Sequence, residues 1–172
     1  STGAAFVADN ETFSNCNVER GGGCTLMPPV FFKCNVLAPD AAELISGRIG
    51  GVNDVQMIIV CNPPYVCESE RLQMRGNVLD WEPSQALFVP DSNPLIFYEA
   101  VADLALKFAE ASNARTYAGQ LNQYEHSSIT PALFFEINES LGQQTVEMLK
   151  SKGFTNARCL KDLFGKDRFI EA

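Results

Sequence analysis

Apolar stretches and amphipathic stretches alternate along the chain from residue 30 onward. Three short runs rich in β-branched and aromatic residues predict strands at 30–37, 55–61 and 132–138. The run at 55–61 (VQMIIVC) is almost continuously apolar, which is typical of a parallel strand buried on both faces. Residues 157–163 and 167–171 predict two further strands, which form a terminal hairpin around Gly165.

Helical periodicity predicts three helices between these strands. Pro39 suits the first turn of a helix over 39–48. The helix over 94–112 carries one apolar stripe, formed by Phe97, Val101, Leu104 and Phe108. A third helix is predicted over 140–152, with Gly153 in the position just past its end. The polar segment 113–130 is predicted to be a long, mobile loop.

This order of elements favours a three-layer α/β sheet with right-handed crossovers, to which the hairpin adds an antiparallel edge. The length of 172 residues fits one domain spanning 1–172. No apolar run reaches the roughly 18 residues that a membrane span requires. The N-terminus lacks the basic start and the continuous apolar stretch of a secretory signal.

Charge and cysteine usage narrow the function classes. Thirteen Lys and Arg against 21 Asp and Glu give a formal net charge of −8, without any basic run, so nucleic acid is an unlikely direct substrate. The six cysteines form no C-x-x-C pair, and with His126 as the single histidine they provide no plausible zinc ligand set. Reduced, buried thiols in a cytoplasmic protein are therefore expected, with no metal.

The most informative tetrapeptide, Asn62-Pro63-Pro64-Tyr65, follows the predicted strand at 55–61. Ligands of open α/β sheets bind outside the carboxyl ends of the strands. Two consecutive prolines fix the backbone and remove two donors, so the loop offers carbonyl acceptors in a rigid arrangement. Asn62 adds an amide oxygen and Tyr65 a flat ring with a polar tip. A Pro-Pro turn that merely ends a strand is the structural alternative, and the position after an apolar strand favours a site.

Such a loop suits methylation of an NH₂ group. An amide or amino nitrogen is a weak nucleophile because its lone pair is delocalised. Acceptors on its two N–H bonds raise the electron density on nitrogen and favour the positive charge that develops in the transition state. Holding nitrogen and methyl donor in contact supplies further acceleration, and no dedicated base is required.

The residues around the tetrapeptide resemble the HemK/PrmC family of S-adenosylmethionine-dependent methyltransferases. These enzymes modify the side-chain amide of glutamine in the Gly-Gly-Gln motif of peptide chain release factors. Four segments carry the resemblance in order from about residue 31 to the C-terminus: VQMIIVCNPPYVCESE, NVLDWEPSQALFVPDSNPLIFYEAVADLAL, LFFEINESLGQQTVEMLKSKGF and KDLFGKDRF. The tetrapeptide alone also occurs in adenine-N6 methyltransferases, whereas the segments after it favour the glutamine branch.

The resemblance implies a role for each residue of the site. Asn62 would bind both the glutamine amide and the methionine end of S-adenosylmethionine. Pro63 would offer its carbonyl to the amide and Tyr65 would wall the side-chain slot, while Pro64 belongs to the same site. Glu82 and Pro83 would stand near the substrate loop, although a turn buttress is an equally good interpretation. Asn35 and Val36 match the positions that contact adenine, where the family usually has Asp, and Asn35 also suits a turn cap. Glu136, Glu139 and His126 are interpreted as structural or solvated.

The family's glycine-rich cofactor loop and its first two strands are not found in this sequence. Residues 1–10 instead resemble the helix that follows the ribose-binding acid, and Gly21-Gly22-Gly23 is interpreted as a flexible loop. The expected fold is thus an incomplete Rossmann-like class I methyltransferase domain with a C-terminal hairpin. Three explanations of the missing strands stay open: a truncated sequence, a homo-oligomer that fills the gap, and rearranged N-terminal residues that stand in as a strand. A nucleic-acid adenine-N6 methyltransferase and a catalytically inactive fragment or interaction module remain the alternatives.

Overall fold

The computed structural model describes residues 31–48, 57–74, 76–117 and 130–172. The sequence interpretations of residues 1–10, of Gly21-Gly22-Gly23 and of His126 lie outside these ranges. In chain order the elements are α1 (Ala41–Arg48), β1 (Ile58–Cys61), β2 (Val66–Cys67), a 3-10 helix (Glu68–Gln73), α2 (Gly76–Trp81), α3 (Ser84–Leu87), β3 (Phe88–Val89), α4 (Ile96–Tyr117), β4 (Ala132–Glu136), a second 3-10 helix (Glu139–Leu141), α5 (Gly142–Ser151), β5 (Arg158–Lys161) and β6 (Asp167–Glu171).

The described strands form a four-stranded mixed sheet in the order β1-β4-β6-β5 and a separate pair, β2-β3. The strands β1 and β4 are parallel, with Val60 opposite Phe134. The strand β6 runs antiparallel to both β4 and β5, which confirms the predicted terminal hairpin. Gly165 in the hairpin turn has a φ of 78°, a conformation that glycine adopts without strain. The α/β class with a parallel pair is therefore confirmed.

The core lies between the sheet and the two long helices. Alternate residues of β4 and the residue after it, Leu133, Phe135 and Ile137, are buried against α4 and α5. The predicted apolar stripe of α4 is confirmed, because Phe97, Val101, Leu104 and Phe108 are all buried. The helix α1 packs on the same side, where Ala42 joins Leu104 and Phe108 in a second cluster.

Helix ends follow local chemistry. The Asn93 side chain, three residues before the start of α4 at Ile96, accepts a hydrogen bond from the Leu95 N–H (3.2 Å). At the far end, α4 continues to Tyr117, so the predicted loop was wrong for residues 113–117. Ser and Asn cost only tenths of a kcal/mol relative to good helix formers, about 0.5 each, and do not end a helix that is already packed. Gly153 has a φ of 103°, which confirms the predicted C′ glycine of α5.

The strand prediction for residues 30–37 was wrong in the part that the structure describes. Residues 31–35 belong to no ladder, and 36–40 form turns. The Asn35 side chain accepts a hydrogen bond from the Leu37 N–H (3.1 Å), and the Ala38 N–H donates to the Asn35 carbonyl (3.0 Å). These local bonds use backbone donors that a strand would need for pairing.

The strand β1 is buried on one face only, in contrast to the prediction from its continuous apolar run. Ile59 and Cys61 pack against the core, whereas Ile58 and Val60 are 60% and 78% exposed. Both long helices pack on the Ile59 side, so the described ranges contain two layers rather than three. Within them β1 is also an edge strand of the sheet. In the same ranges no helix combines the length and apolar character needed to cross a membrane.

Gly142, the first residue of α5, is expected not to tolerate a side chain. A Cβ there would lie 2.7 Å from Asp167 Oδ2, 3.3 Å from Asp167 Cβ and 3.1 Å from Cys159 Sγ. Gly142→Ala should therefore lower the free energy of unfolding by about 1–3 kcal/mol, measured by urea denaturation and circular dichroism. Gly47→Ala is the matched control in α1, since nothing lies within 4 Å of its Cβ, and it should gain up to about 1 kcal/mol. Equal stability of both variants would contradict the close approach of α5 to the hairpin.

Candidate functional site

The parallel pairing of β1 and β4 brings their carboxyl ends to one edge of the sheet. The tetrapeptide Asn62–Tyr65 continues β1 at this edge, and Ile137 and Asn138 continue β4. Pro63 and Pro64 are buried, Tyr65 is half-buried and Asn62 is exposed. Proline has no backbone N–H. Burial of Pro63 and Pro64 therefore leaves no backbone N–H donor without a hydrogen-bond partner at these two positions.

Two cavities adjoin the tetrapeptide, and Asn62 and Pro63 line both of them. The first cavity has a volume of about 380 Å³ and the second about 370 Å³. We call them the donor cavity and the acceptor cavity, after the methyl donor and the methyl acceptor that the family resemblance leads us to expect. The donor cavity is lined by Phe32, Cys34, Val36, Ile45, Val60, Cys61, Asn62, Pro63, Pro64, Phe97 and Val101. The acceptor cavity is lined by Asn62, Pro63, Tyr65, Val66, Met74, Val78, Glu82, Ala86 and Leu87.

The donor cavity has the size and composition of a small-molecule site. Its volume falls in the range of about 300–1,000 Å³ that is usual for ligand pockets, and its walls are mostly apolar with the Asn62 amide among them. Burial raises the pKa of the Cys61 thiol to about 11, so this wall is neutral at pH 7. Among the residues that the structure describes, no carboxylate lines the cavity. These residues fit the apolar and methyl-bearing parts of a nucleoside cofactor, whereas an acid for the ribose is not among them.

The structure places the two residues expected at adenine differently. Val36 lines the donor cavity together with Asn62. Asn35 is exposed and is not among the lining residues, and its side-chain oxygen caps the turn at Leu37. The turn-cap interpretation of Asn35 thus describes the geometry.

Of the two residues expected near the substrate loop, Glu82 lines a cavity and Pro83 is not among the lining residues. Glu82 lines the acceptor cavity with Tyr65, and its side chain is exposed to solvent. Pro83 precedes α3, where its carbonyl accepts a hydrogen bond from the Ala86 N–H (2.8 Å). Pro83 therefore has the structural role of starting α3, which supplies Ala86 and Leu87 to the cavity wall. The sequence analysis gave no elements for residues 68–87.

Tyr65 contacts the ion pair of Glu136 and Arg168. The Tyr65 hydroxyl donates a hydrogen bond to Glu136 Oε1 (3.4 Å), and Arg168 Nη1 lies 3.6 Å from the same oxygen. Burial raises the pKa of Tyr65, and the Glu136 carboxylate raises it further, while Arg168 acts in the opposite direction. The phenol consequently remains neutral and its hydroxyl keeps donating to Glu136, which fixes the ring at the wall of the acceptor cavity.

Asn138 is a residue of the site that the sequence analysis missed. Its side-chain nitrogen donates to the Tyr65 carbonyl (3.3 Å) and to Glu70 Oε2 (3.2 Å), and its oxygen accepts from the Ser140 N–H (3.1 Å). Glu70 in turn accepts a hydrogen bond from the Cys67 N–H (2.8 Å). The Asn138 side chain thus connects the segment after β4 to Tyr65, just before β2, and to Glu70, just after β2. Asn138 is the polar last residue of the predicted strand 132–138, and its position at the carboxyl end of a second apolar strand was the available signal.

Glu136 and Glu139 do not form an acid-base pair. Glu136 contacts Tyr65 and Arg168, whereas Glu139 forms an ion pair with Lys166 (2.7 Å). Lys161 pairs with Asp167 (2.6 Å). In the described part of the chain no group of His, Cys, Asp and Glu side chains is placed to hold a metal ion.

Comparison with known proteins gives one consistent set of relatives. No family model matches the chain. The chain is 41% identical over 115 residues to the release factor glutamine methyltransferase of Bacteroides thetaiotaomicron, 39% over 114 residues to that of Flavobacterium psychrophilum and 33% over 113 residues to that of Leptospira interrogans. Each match covers 66–67% of this chain and 32–35% of the relative. The chain thus matches about a third of the length of these relatives.

Proposed function

We propose that this chain, which is related in sequence to the release factor glutamine methyltransferases, contributes the methyl-acceptor side of a protein-glutamine methyltransferase. The substrate is the side-chain amide of glutamine in the Gly-Gly-Gln motif of a peptide chain release factor, and the methyl donor is S-adenosylmethionine. The relatives support this assignment through 30–41% identity over about two thirds of the chain. They all carry the same name, so the adenine-N6 alternative is not favoured.

The observation that carries the proposal is the position of Asn62 and Pro63 between the two cavities. A methyl transfer needs two ligands that meet at one point, and these two residues line both the donor cavity and the acceptor cavity. A binding module for a single ligand would not need such a partition. Asn62, Pro63, Pro64 and Tyr65 are accordingly the proposed catalytic residues, with Val36 on the cofactor side and Glu82 on the substrate side.

The chemistry of the chain's own residues follows from this partition. S-adenosylmethionine, when bound, supplies a methyl group on a positively charged sulfur. The Asn62 side-chain oxygen and the backbone carbonyls of Pro63 and Pro64 are acceptors for the two N–H bonds of the glutamine amide. By accepting these bonds they orient the nitrogen and stabilise the positive charge that it gains. Tyr65 confines the side chain, and the nitrogen then releases one proton to water.

The fold supports the same family at the level of topology. The resemblance to the family implies a sheet with the strand order 3-2-1-4-5-7-6, and the described order β1-β4-β6-β5 matches strands 4, 5, 7 and 6 of that order. We therefore assign residues 1–172 to part of one Rossmann-like class I methyltransferase domain. A cytoplasmic location follows from the proposed substrate.

The test is a methyl-transfer assay with the complete protein that carries this chain. Labelled S-adenosylmethionine and a purified release factor are the substrates, and a release factor with Gly-Gly-Ala in place of Gly-Gly-Gln is the control. We expect label in the glutamine protein and none in the alanine control. Label that appears in nucleic acid, or in both proteins equally, would contradict the proposal.

A further inference from the structure

A continuous series of side-chain contacts extends from Tyr65 to the turn of the terminal hairpin. The Tyr65 hydroxyl donates to Glu136 Oε1 (3.4 Å), and Arg168 Nη1 lies 3.6 Å from that oxygen. On its other side the guanidinium reaches the hairpin turn, where Arg168 Nε lies 3.8 Å from Asp162 Oδ2. We call Glu136, Arg168 and Asp162 the tyrosine support. The support joins the loop after β1 to the last strand of the chain, β6.

Backbone hydrogen bonds hold the outer part of the tyrosine support. Asp162 Oδ1 accepts hydrogen bonds from the N–H groups of Phe164 (2.8 Å) and Lys166 (3.0 Å). The Arg168 carbonyl accepts a hydrogen bond from the Ile137 N–H (2.9 Å), which fixes this residue beside the end of β4. Because a guanidinium is planar and carries its donors in a rigid fork, contact with two carboxylates leaves it little freedom.

Arg168 holds the Glu136 carboxylate in contact with the phenol of Tyr65. The side chains of Glu136 and Arg168 are 31% and 33% exposed, so water screens their ion pair less than it screens a fully exposed pair. A largely buried carboxylate that loses its cationic partner is more stable when it turns toward water. The Tyr65 hydroxyl then loses its acceptor, and the ring loses the contact that fixes its orientation.

Tyr65 belongs to the acceptor side of the site. Among the described residues it lines the acceptor cavity and is not one of those that line the donor cavity. Loss of the tyrosine support should therefore change how the acceptor is held and leave the donor side unchanged. Unfolding of the chain has no such preference, because it removes both cavities together.

We propose that Arg168 is a positioning residue of the methyl-acceptor site, which acts through Glu136 and the Tyr65 hydroxyl. This inference rests on the proposed function and extends the acceptor site from the loop after β1 to the last strand. Arg168 is not among the residues that line the acceptor cavity. It keeps the Tyr65 ring in the orientation that confines the glutamine side chain, so less order has to be imposed on this wall when the acceptor binds.

Steady-state kinetics of the complete protein test this role, with a release factor as acceptor and labelled S-adenosylmethionine as donor. Arg168→Ala should raise the KM for the release factor about three- to tenfold, the usual effect of losing one hydrogen bond. The KM for S-adenosylmethionine should stay unchanged.

Arg158→Ala is the matched control in the same hairpin. Arg158 on β5 forms an ion pair with Glu171 on β6 (2.7 Å), and neither residue is among those that line the acceptor cavity. This variant should leave both KM values unchanged.

A double-mutant cycle determines whether Arg168 acts through the phenol. Tyr65→Phe removes the hydroxyl and keeps the ring, and it should raise the KM for the release factor by a similar factor. Arg168→Ala should have little further effect in the Tyr65→Phe protein, because the contact that it weakens is already lost. Circular dichroism verifies folding. If Arg168→Ala does not fold, Arg168→Lys replaces it in the cycle, since an ammonium keeps the charge but lacks the planar fork that contacts both carboxylates.

The outcomes distinguish the positioning role from the proposed function. The positioning role is wrong if the Arg168 variant keeps the parent KM for the release factor or raises both KM values equally. It is also wrong if the effects of the Arg168 and Tyr65 variants multiply. In each of these cases the proposed function stands. If the parent protein does not methylate the release factor, the proposed function is wrong, and the positioning role with it.

Discussion

Replacing Asn62 with alanine should slow methyl transfer by about 10²–10³ without unfolding the protein. Asn62 follows β1, is exposed, and is one of two residues that line both cavities. Its amide oxygen is the only side-chain acceptor in the proposed set around the reacting nitrogen. Removal of one preorganised group that stabilises transition-state charge costs about 10²–10³ in kcat. Because the side chain is exposed, the free energy of unfolding should change by no more than about 0.5 kcal/mol.

The measurement is kcat and KM for methylation of a release factor by the complete protein, with circular dichroism to verify folding. Asn156→Ala is the matched control, because Asn156 is an exposed asparagine just before β5, at the opposite edge of the sheet from the site. It should keep the activity of the parent protein. Wild-type turnover in Asn62→Ala would remove Asn62 from the catalytic group and with it the proposed mechanism.

Elements with a strong local signal could be predicted from the sequence. The stripe from Phe97 to Phe108 and the hairpin around Gly165 depend on periodicity and on one turn residue, and both are found where the sequence predicts them. The tetrapeptide Asn62–Tyr65 is likewise a local motif, and it lies at the sheet edge where ligands are expected.

The remainder depends on contacts between distant parts of the chain. Continuous apolarity in β1 cannot tell one buried face from two, because burial depends on which helices pack on each face. The two cavities draw their walls from several separate segments, so the partition at Asn62 and Pro63 is visible only in three dimensions. Asn138 bonds to Tyr65 across 73 residues of sequence, a separation over which periodicity contains no information.

The same dependence on packing predicts unequal roles for two adjacent phenylalanines of β4. Phe135 is 1% exposed, and its ring packs edge-on against Tyr98 with centroids 5.3 Å apart. The Tyr98 hydroxyl donates to the Glu136 carbonyl (3.0 Å), so this ring pair also supports the end of β4 at the site. Phe134 points to the opposite face of the sheet, where it lies beside the exposed Val60 and is only half-buried.

Phe135→Ala should therefore lower the free energy of unfolding of the 172-residue chain by about 3–5 kcal/mol, the usual cost of a large cavity in a core. For a domain of ordinary stability, about 5–15 kcal/mol, this is a large fraction of the total. Phe134→Ala is the control at the neighbouring position and should cost less than half as much. Urea denaturation followed by circular dichroism measures both. Equal losses would contradict the one-sided core, because they would mean that residues outside the described ranges bury the Phe134 face as completely as α4 and α5 bury the other.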